Sequence, residues 1–125
     1  MSSYEKTCLI RGDNGSAIRG ILDRIANKWT LLVVATLEHE ALRFTELQQR
    51  IPGISQRMLT RTVRHLERDG LVAREVFAEV PPRVEYTLTD TGRTLIAPSV
   101  ALAEWAVEHN PEIERSQTSY DDQHP

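Results

Sequence analysis

The chain has 125 residues, of which 40% are hydrophobic and 26% are charged, and its formal net charge is −3 at pH 7. This length and composition fit one soluble globular domain with a modest core, and no apolar run approaches the roughly 18 residues of a membrane span. The N-terminus lacks a signal-peptide pattern and the single cysteine, Cys8, excludes an internal disulfide framework, so we expect a cytoplasmic protein.

The charges are distributed unevenly along the chain. Residues 1–42 are neutral overall, residues 43–74 carry seven Arg against three acids for a charge of +4, and residues 75–125 carry three Arg against ten acids for −7. A local excess of positive charge is what binding to phosphate groups requires.

The first predicted helix, Ser16–Ile25, has one apolar stripe. Its members recur at the i, i+3, i+4, i+7 spacing of a helix: Ile18, Ile21, Leu22 and Ile25. The preceding residues, 1–15, include Gly12-Asp13-Asn14-Gly15, a loop composition that predicts a flexible arm.

The second predicted helix, Lys28–Leu37, is apolar over most of its circumference. We therefore expect it to be nearly buried, with Trp29 as an anchor in the core.

A short helix, a tight turn and an arginine-rich helix are predicted next. Arg43-Phe44 is expected to be extended, and Thr45 to be the N-cap of the short helix Glu46–Arg50. Pro52 and Gly53 predict a turn with positive φ at the glycine. The long helix then lies between Ser55, a good N-cap, and Gly70, which suits the C′ position. This succession is a helix-turn-helix.

The long helix separates an apolar back from an arginine front. Leu59, Val63 and Leu66 share one face, and the opposite face carries Arg57, Arg61, Arg64 and Arg68. Such a front either reads the major groove of DNA or is the solvated face of an ordinary surface helix.

If the helix reads DNA, its N-terminal half enters the groove first. Gln56, Arg57, Thr60 and Arg61 are then placed to meet base edges, and Arg64 to meet phosphate. The candidate DNA contacts on this helix are Ser55, Gln56, Arg57, Thr60, Arg61 and Arg64. His65 lies at the edge of the polar arc and fits either role, whereas the helix dipole alone explains Arg68.

Two strands, Leu71–Phe77 and Arg83–Leu88, are predicted on either side of two prolines that cannot pair in a ladder. Alternation places Val84, Tyr86 and Leu88 on one face of the second strand. A hairpin directly after a recognition helix is a wing. Arg83 is a candidate for contact with phosphate or the minor groove, and an ion pair with Glu75 or Glu79 is the alternative.

The C-terminal part begins with Thr89 as an N-cap and is predicted to stay helical to about His109, with a kink or restart at Pro98. Residues 100–107 are apolar nearly all round, which a domain this small cannot easily cover, so we expect a second copy to cover them. Packing on the chain's own core is the alternative. The predicted dimer interface comprises Ile18, Ile21, Leu22, Leu102, Trp105 and Ala106. Residues 110–125 are polar and acidic and are predicted to be disordered.

Several of these segments, in this order and spacing, resemble the HxlR family of bacterial transcription regulators, relatives of MarR. They are residues 27–32 (Asn-Lys-Trp-Thr-Leu-Leu), 43–47 (Arg-Phe-Thr-Glu-Leu), 52–55 (Pro-Gly-Ile-Ser), 66–72 (Leu-Glu-Arg-Asp-Gly-Leu-Val) and 80–92, together with Ala103-Glu104-Trp105. The most specific part is Pro-Pro-Arg-Val-Glu-Tyr, residues 81–86. The resemblance covers about Ser16–Trp105.

The resemblance implies a mainly α fold with a small β-hairpin wing, a winged helix-turn-helix with terminal dimerisation helices, over residues 16–109. It implies a homodimer that binds a palindromic operator in double-stranded DNA and acts as a repressor or an activator. It leaves room for a small-molecule effector, whose existence and identity the residues do not specify.

One position departs from the family. Many members carry a cysteine just before the first helix, where this chain has Ser16. Redox sensing is therefore not implied, and we expect Cys8, the one candidate redox sensor, to be incidental.

Enzyme chemistry finds no support in the sequence. His39-Glu40 is not followed by a second histidine at zinc-protease spacing, and the remaining histidines lack partners at metal spacing. We expect no catalytic site, no metal and no cofactor. The main alternative to DNA binding is a winged-helix interaction module whose basic face binds an acidic protein.

Overall fold

The structure, a computed structural model, describes residues 10–12 and 15–125. Its elements from Ser16 onward are α1 (Ser16–Ile25), α2 (Lys28–Thr36), α3 (Phe44–Arg50), α4 (Gln56–Arg68), β1 (Val72–Phe77), β2 (Arg83–Leu88), α5 (Asp90–Arg93) and α6 (Ile96–Gln123). The mainly helical fold with one hairpin confirms the predicted fold class. No helix in these described ranges is long and apolar enough to cross a membrane.

The hydrophobic core lies where α2, α3, α4 and the hairpin meet. Its largest fully buried side chains are Val33, Val34, Leu37, Leu42, Leu47, Ile51, Leu59 and Leu66. Trp29, predicted to be an anchor in the core, packs against this cluster but is only half-buried.

The prediction that α2 is nearly buried was wrong for one of its faces. Leu32 is 41% exposed and Ala35 is exposed as well. The sequence pattern showed apolar residues over most of the circumference, but the core of one small domain covers only one side of the helix.

Helix α3 begins earlier than predicted, and its N-cap is Arg43 rather than Thr45. The backbone N–H of Arg43 donates to Oε1 of Glu46 at 2.9 Å, which satisfies an amide at the helix start. Arg43 is extended as predicted, whereas Phe44 is already helical. Before them, Leu42 exchanges two backbone hydrogen bonds with Tyr86 in an isolated β-bridge. This bridge ties the entrance of the helix-turn-helix to the wing.

The turn between α3 and α4 has the predicted geometry. Gly53 has φ of 83°, and the N–H of Ile54 donates to the carbonyl of Ile51 at 3.3 Å. Glycine is required here because side chains with a Cβ rarely adopt this backbone conformation.

Strands β1 and β2 pair antiparallel, with Val72 opposite Leu88 and Phe77 opposite Arg83. The first strand starts one residue later than predicted. Tyr86 and Leu88 are buried, and Val84 on the same face is half-buried, which confirms the alternation predicted for β2. The Val80–Pro81 peptide between the strands is cis.

Thr89 caps α5 as predicted, accepting at Oγ1 from the N–H of Gly92 at 3.0 Å. Gly92 passes so close to the backbone that a Cβ there would overlap the carbonyl oxygen of Leu71. Pro98 lies in the first turn of α6, so the helical run restarts there, as one of the two predicted outcomes.

The prediction that residues 110–125 are disordered was wrong, because α6 continues to Gln123. Contacts one turn apart support this extension: Asn110 Nδ2 donates to Glu114 Oε1 at 3.3 Å, and the rings of Tyr120 and His124 stack 4.0 Å apart. An acidic composition alone did not reveal these local pairs.

Most of the predicted flexible arm, including Cys8, lies outside the described residues. Within the described part, Ile10 and Arg11 are helical, and Nη1 of Arg19 donates to the carbonyls of Ile10 and Gly12 at 2.7 and 3.1 Å.

Candidate nucleic-acid interface

Helix α4 is fixed at both ends by its own sequence. At the start, Oγ of Ser55 accepts from the N–H of Met58 at 3.0 Å. At the end, Gly70 has φ of 76°, its N–H donates to the carbonyl of Glu67 at 3.0 Å, and the N–H of Leu71 donates to that of Leu66 at 2.9 Å. This pair of bonds is a Schellman motif, so the helix has a defined length and direction.

The apolar back of α4 holds the helix against the core. Leu59, Val63 and Leu66 are 0%, 3% and 2% exposed, which confirms the predicted face. Thr62 is buried on the same side, where its hydroxyl donates to the carbonyl of Met58 at 2.8 Å. The arginine front must therefore point away from the core.

The front of α4 lines an open concavity of about 950 Å³, here called the α4 concavity. Its lining comprises Ser55, Gln56, Arg57, Thr60, Arg61, Arg64 and His65. The structure thus brings together all six residues of α4 and its cap that were predicted to contact DNA, and adds His65, which the sequence left open.

The arginines of the α4 concavity are free to bind a ligand. Within the described ranges, Arg57, Arg61 and Arg64 form no ion pair or hydrogen bond through their side chains, and no acidic residue lines the concavity. A surface of three unpaired guanidinium groups, one imidazole and two hydroxyls suits an anionic ligand rich in hydrogen-bond acceptors.

A second depression, of about 360 Å³, lies beside the concavity and reaches the hairpin. It is lined by Phe44, Thr60, Val63, Arg64, Glu67, Arg74 and Tyr86. Arg74 was not singled out from the sequence. Arg74 lies opposite Tyr86 in the strand register, which places it on the side of β1 that faces α4. The alternation of side chains along β1 could have predicted this position from the sequence.

Arg83 is not part of the α4 concavity. Its Nη1 lies 3.4 Å from Oε1 of Glu79 and its Nε lies 3.5 Å from Oε2 of Glu85, while its guanidinium stacks 4.1 Å above the ring of Phe77. Nε is buried and has no hydrogen-bond partner in the described part of the chain, so its interaction with Glu85 is one of charge only. The partner Glu79 matches one predicted alternative for Arg83, and Glu85 was not foreseen.

The residues predicted for a dimer interface are all exposed on the single chain. Ile18, Ile21 and Leu22 of α1 are 42%, 43% and 37% exposed, and Leu102 and Trp105 of α6 are 54% and 53% exposed. An apolar cleft of about 340 Å³ runs between α2 and α6, and Leu102 and Ala106 line it. These apolar surfaces have no cover within the described part of the chain.

Comparison with known proteins identifies the family of this chain. The model of the HxlR-like helix-turn-helix family matches residues 24–114. An uncharacterized HTH-type transcriptional regulator from Methanothermobacter thermautotrophicus is 50% identical over 95 residues, which span 76% of this chain and 72% of the relative. YdeP from Bacillus subtilis, also an HTH-type regulator, is 40% identical over 101 residues, covering 81% and 79% of the two chains.

A solved structure gives the same result for the fold. The redox regulator HypR in its reduced form superposes with a TM-score of 0.71 at 39% identity, covering 79% of this chain and 98% of that one. The family match spans the α4 concavity, the wing and most of α6. The chain therefore belongs to the HxlR family of helix-turn-helix transcriptional regulators.

Proposed function

We propose that this regulator binds a two-fold operator in double-stranded DNA as a homodimer in the cytoplasm, with α4 in the major groove. The observation that carries the proposal is the α4 concavity, where Arg57, Arg61 and Arg64 project from a helix whose back is fixed in the core and have no side-chain partner among the described residues. An α-helix fits the major groove, and arginine is the side chain that most often contacts guanine there.

The residues divide into two roles by their position along α4. Gln56, Arg57, Thr60 and Arg61, in the first half of the helix, would meet base edges and so select the sequence. Ser55 and Arg64 would contact phosphate, and Arg74 at the neighbouring depression would extend that contact toward the wing. The DNA contact predicted for Arg83 is untested and is left out of this proposal, since it requires Arg83 to leave Glu79 and Glu85.

The dimer is proposed on the exposed apolar surfaces of α1 and α6. Leu102 and Trp105, one turn apart on α6, are 54% and 53% exposed, and Ile18 and Ile21 of α1 are 42% and 43% exposed on the single chain. Large exposed apolar side chains clustered in this way are typical of a protein interface. A second copy related by a two-fold axis would cover it and would present two copies of α4 to the DNA.

The test is selection of DNA from a random library, followed by fluorescence anisotropy on the selected sequence and on a scrambled one. We expect a palindromic sequence bound by two protomers. The triple variant Arg57→Ala, Arg61→Ala, Arg64→Ala should lose this binding.

A matched triple variant controls for net charge. Arg50, Arg93 and Arg115 lie outside the α4 concavity. The triple variant Arg50→Ala, Arg93→Ala, Arg115→Ala removes the same number of positive charges, three, from other places on the surface. It should bind nearly as well as wild type. Equal losses in the two triple variants would mean that only overall charge matters, and failure to select any sequence would favour the protein-interaction alternative.

A further inference from the structure

Helix α1 is joined to the end of α4 by a short ion pair. Arg24, in the last turn of α1, donates from Nε to Oδ2 of Asp69 at 2.8 Å, across 45 residues of sequence. The two side chains are 35% and 19% exposed, so solvent shields this pair less than it would shield a pair on the open surface.

Asp69 occupies a position that its own helix disfavours. It is the C-cap of α4, where the helix dipole presents a partial negative charge to any nearby group. The dipole of α4 therefore does not stabilise a carboxylate at this position. Its short contact with Arg24 is therefore the interaction that accounts for an acid at this site.

Arg24 is in turn held by several neighbours. Its Nη1 donates to the carbonyl of Gly20 at 3.0 Å, and its own carbonyl accepts from Nδ2 of Asn27 at 3.0 Å and from Oγ1 of Thr30 at 3.2 Å. The end of α1, the start of α2 and the end of α4 consequently meet at this one arginine.

Helix α1 has few other attachments. None of its residues is buried, and three of the four residues of its apolar stripe, Ile18, Ile21 and Leu22, are exposed. Within residues 15–125, the contact between Arg24 and Asp69 is the hydrogen bond that joins α1 to α4. The angle between the two helices therefore depends strongly on this contact.

We propose that Arg24 and Asp69 are positioning residues that set the orientation of α4 relative to α1, and thereby determine which half-site spacing the dimer accepts. This inference rests on the proposed function, in which α1 lies at the dimer interface and α4 in the groove. Two recognition helices reach successive major grooves only when their separation matches the helical repeat of DNA. Neither residue lines the α4 concavity, although Arg24 lines a neighbouring depression together with Arg61 and His65. We assign both residues a role through the orientation of α4.

The first test compares operators whose half-sites keep the selected spacing with operators in which one or two base pairs are added or removed. Wild type should prefer its own spacing. In Arg24→Ala and in Asp69→Asn, the ratio of the affinity for the selected spacing to the affinity for an altered spacing should fall. We expect a fall of about fivefold or more, a typical size for coupling between sites.

Two further variants separate positioning from stability. The charge exchange Arg24→Asp, Asp69→Arg should restore much of the spacing preference. Arg50→Ala, which breaks the 2.6 Å pair with Glu40 elsewhere on the surface, should leave the preference unchanged. If Arg24→Ala weakens binding to all spacings in the same ratio, or if wild type shows no preference, the role in spacing is overturned.

A second readout does not depend on DNA. Spin labels at Ala17→Cys and Glu67→Cys, in a Cys8→Ser background diluted with unlabelled protein, report the distance from α1 to α4 within one protomer. We expect a narrow distance distribution with Arg24 present and a broader or shifted one in Arg24→Ala. An unchanged distribution overturns the inference. If wild type binds no DNA, the proposed function fails, and this distance alone decides whether the ion pair orients α4.

Discussion

Helices α4 and α6 both carry many apolar side chains, but only α4 buries them within its own chain. The three apolar residues on the back of α4 are each at most 3% exposed, whereas α6 has 28 residues and only Ser99 among them is buried. The periodicity of a helix therefore shows which face is apolar, but not what covers that face. For α4 the cover is the domain core, and for α6 we propose a second copy of the chain.

Trp105→Glu should have the largest effect, because it places an unpaired charge in the proposed interface. We expect dimer stability to fall by about 3–5 kcal/mol, and operator binding to be abolished with it. Analytical ultracentrifugation would measure the dimer. Val76→Glu is the control, since Val76 is 54% exposed on the wing and outside both terminal helices. An unchanged dimer in Trp105→Glu would remove Trp105 from the interface.

Leu59→Ala should have the next largest effect, because Leu59 is fully buried behind α4. The cavity should lower the free energy of unfolding by about 2–5 kcal/mol, measured by urea denaturation. Leu102→Ala, made at an exposed position of α6, should cost no more than about 0.5 kcal/mol when both are measured in the Trp105→Glu background. Similar losses at both positions would contradict the contrast between the two helices.

Arg61→Ala and Arg64→Ala should affect DNA binding in different ways, because the two arginines of the α4 concavity are proposed to contact different parts of the DNA. Arg61→Ala should cost about 1–3 kcal/mol on the operator and relax the base preference at one position of each half-site. Arg64→Ala should weaken binding to operator and scrambled DNA alike. It should also reduce the slope of affinity against salt by about one for each phosphate group that the variant no longer binds.

Fluorescence anisotropy over a range of salt concentrations measures both arginine variants. If the two variants bind both DNAs equally weakly with the same change of slope, α4 touches only the DNA backbone. If both variants bind as tightly as wild type, the arginine front is a solvated face.

Arg83→Ala should have a smaller effect, about 1 kcal/mol or less, and mainly on the stability of the protein. The ion pairs with Glu79 and Glu85 and the stacking on Phe77 are partly exposed, and such interactions contribute modestly. We expect the salt dependence of operator binding to stay the same. A slope reduced by about one would instead assign Arg83 to a phosphate group of the DNA.

Cys8→Ser should have no measurable effect. Wild type and Cys8→Ser should respond alike when operator binding is measured before and after treatment with hydrogen peroxide. A response confined to wild type would make Cys8 a redox switch, despite the serine at the position where many family members carry cysteine.

Local signals along the chain predicted most of the fold. Ser55, Gly53 and Gly70 fix the ends of α4 and the turn before it through hydrogen bonds within a few residues, so their roles could be deduced from residue type and spacing. The face of β2 followed in the same way from alternation, because one side of the strand is buried on the core.

The incorrect predictions concern features that depend on contacts with another part of the chain. The bridge between Leu42 and Tyr86 joins segments 44 residues apart, and this pairing accompanies the start of α3 at Phe44 instead of after Thr45. Arg83 also pairs with Glu85, which lies two residues further along the same strand. Alternation places the two side chains on the same face of β2, but it does not show that they are in contact. The exposed side of α2, at Leu32 and Ala35, depends on the limited size of the core.

Gly92 has a practical consequence for the construction of hybrid regulators. Any side chain at position 92 would overlap the carbonyl oxygen of Leu71. In a hybrid protein, the backbone around Gly92 should therefore come from the same parent as the segment from Leu71 into the wing. A chimera that exchanges C-terminal helices between family members should therefore be joined after Gly92, at Thr94 or Leu95, so that Leu71 and Gly92 come from the same parent protein. A junction placed between Leu71 and Gly92 would combine two backbones that had not been fitted to each other.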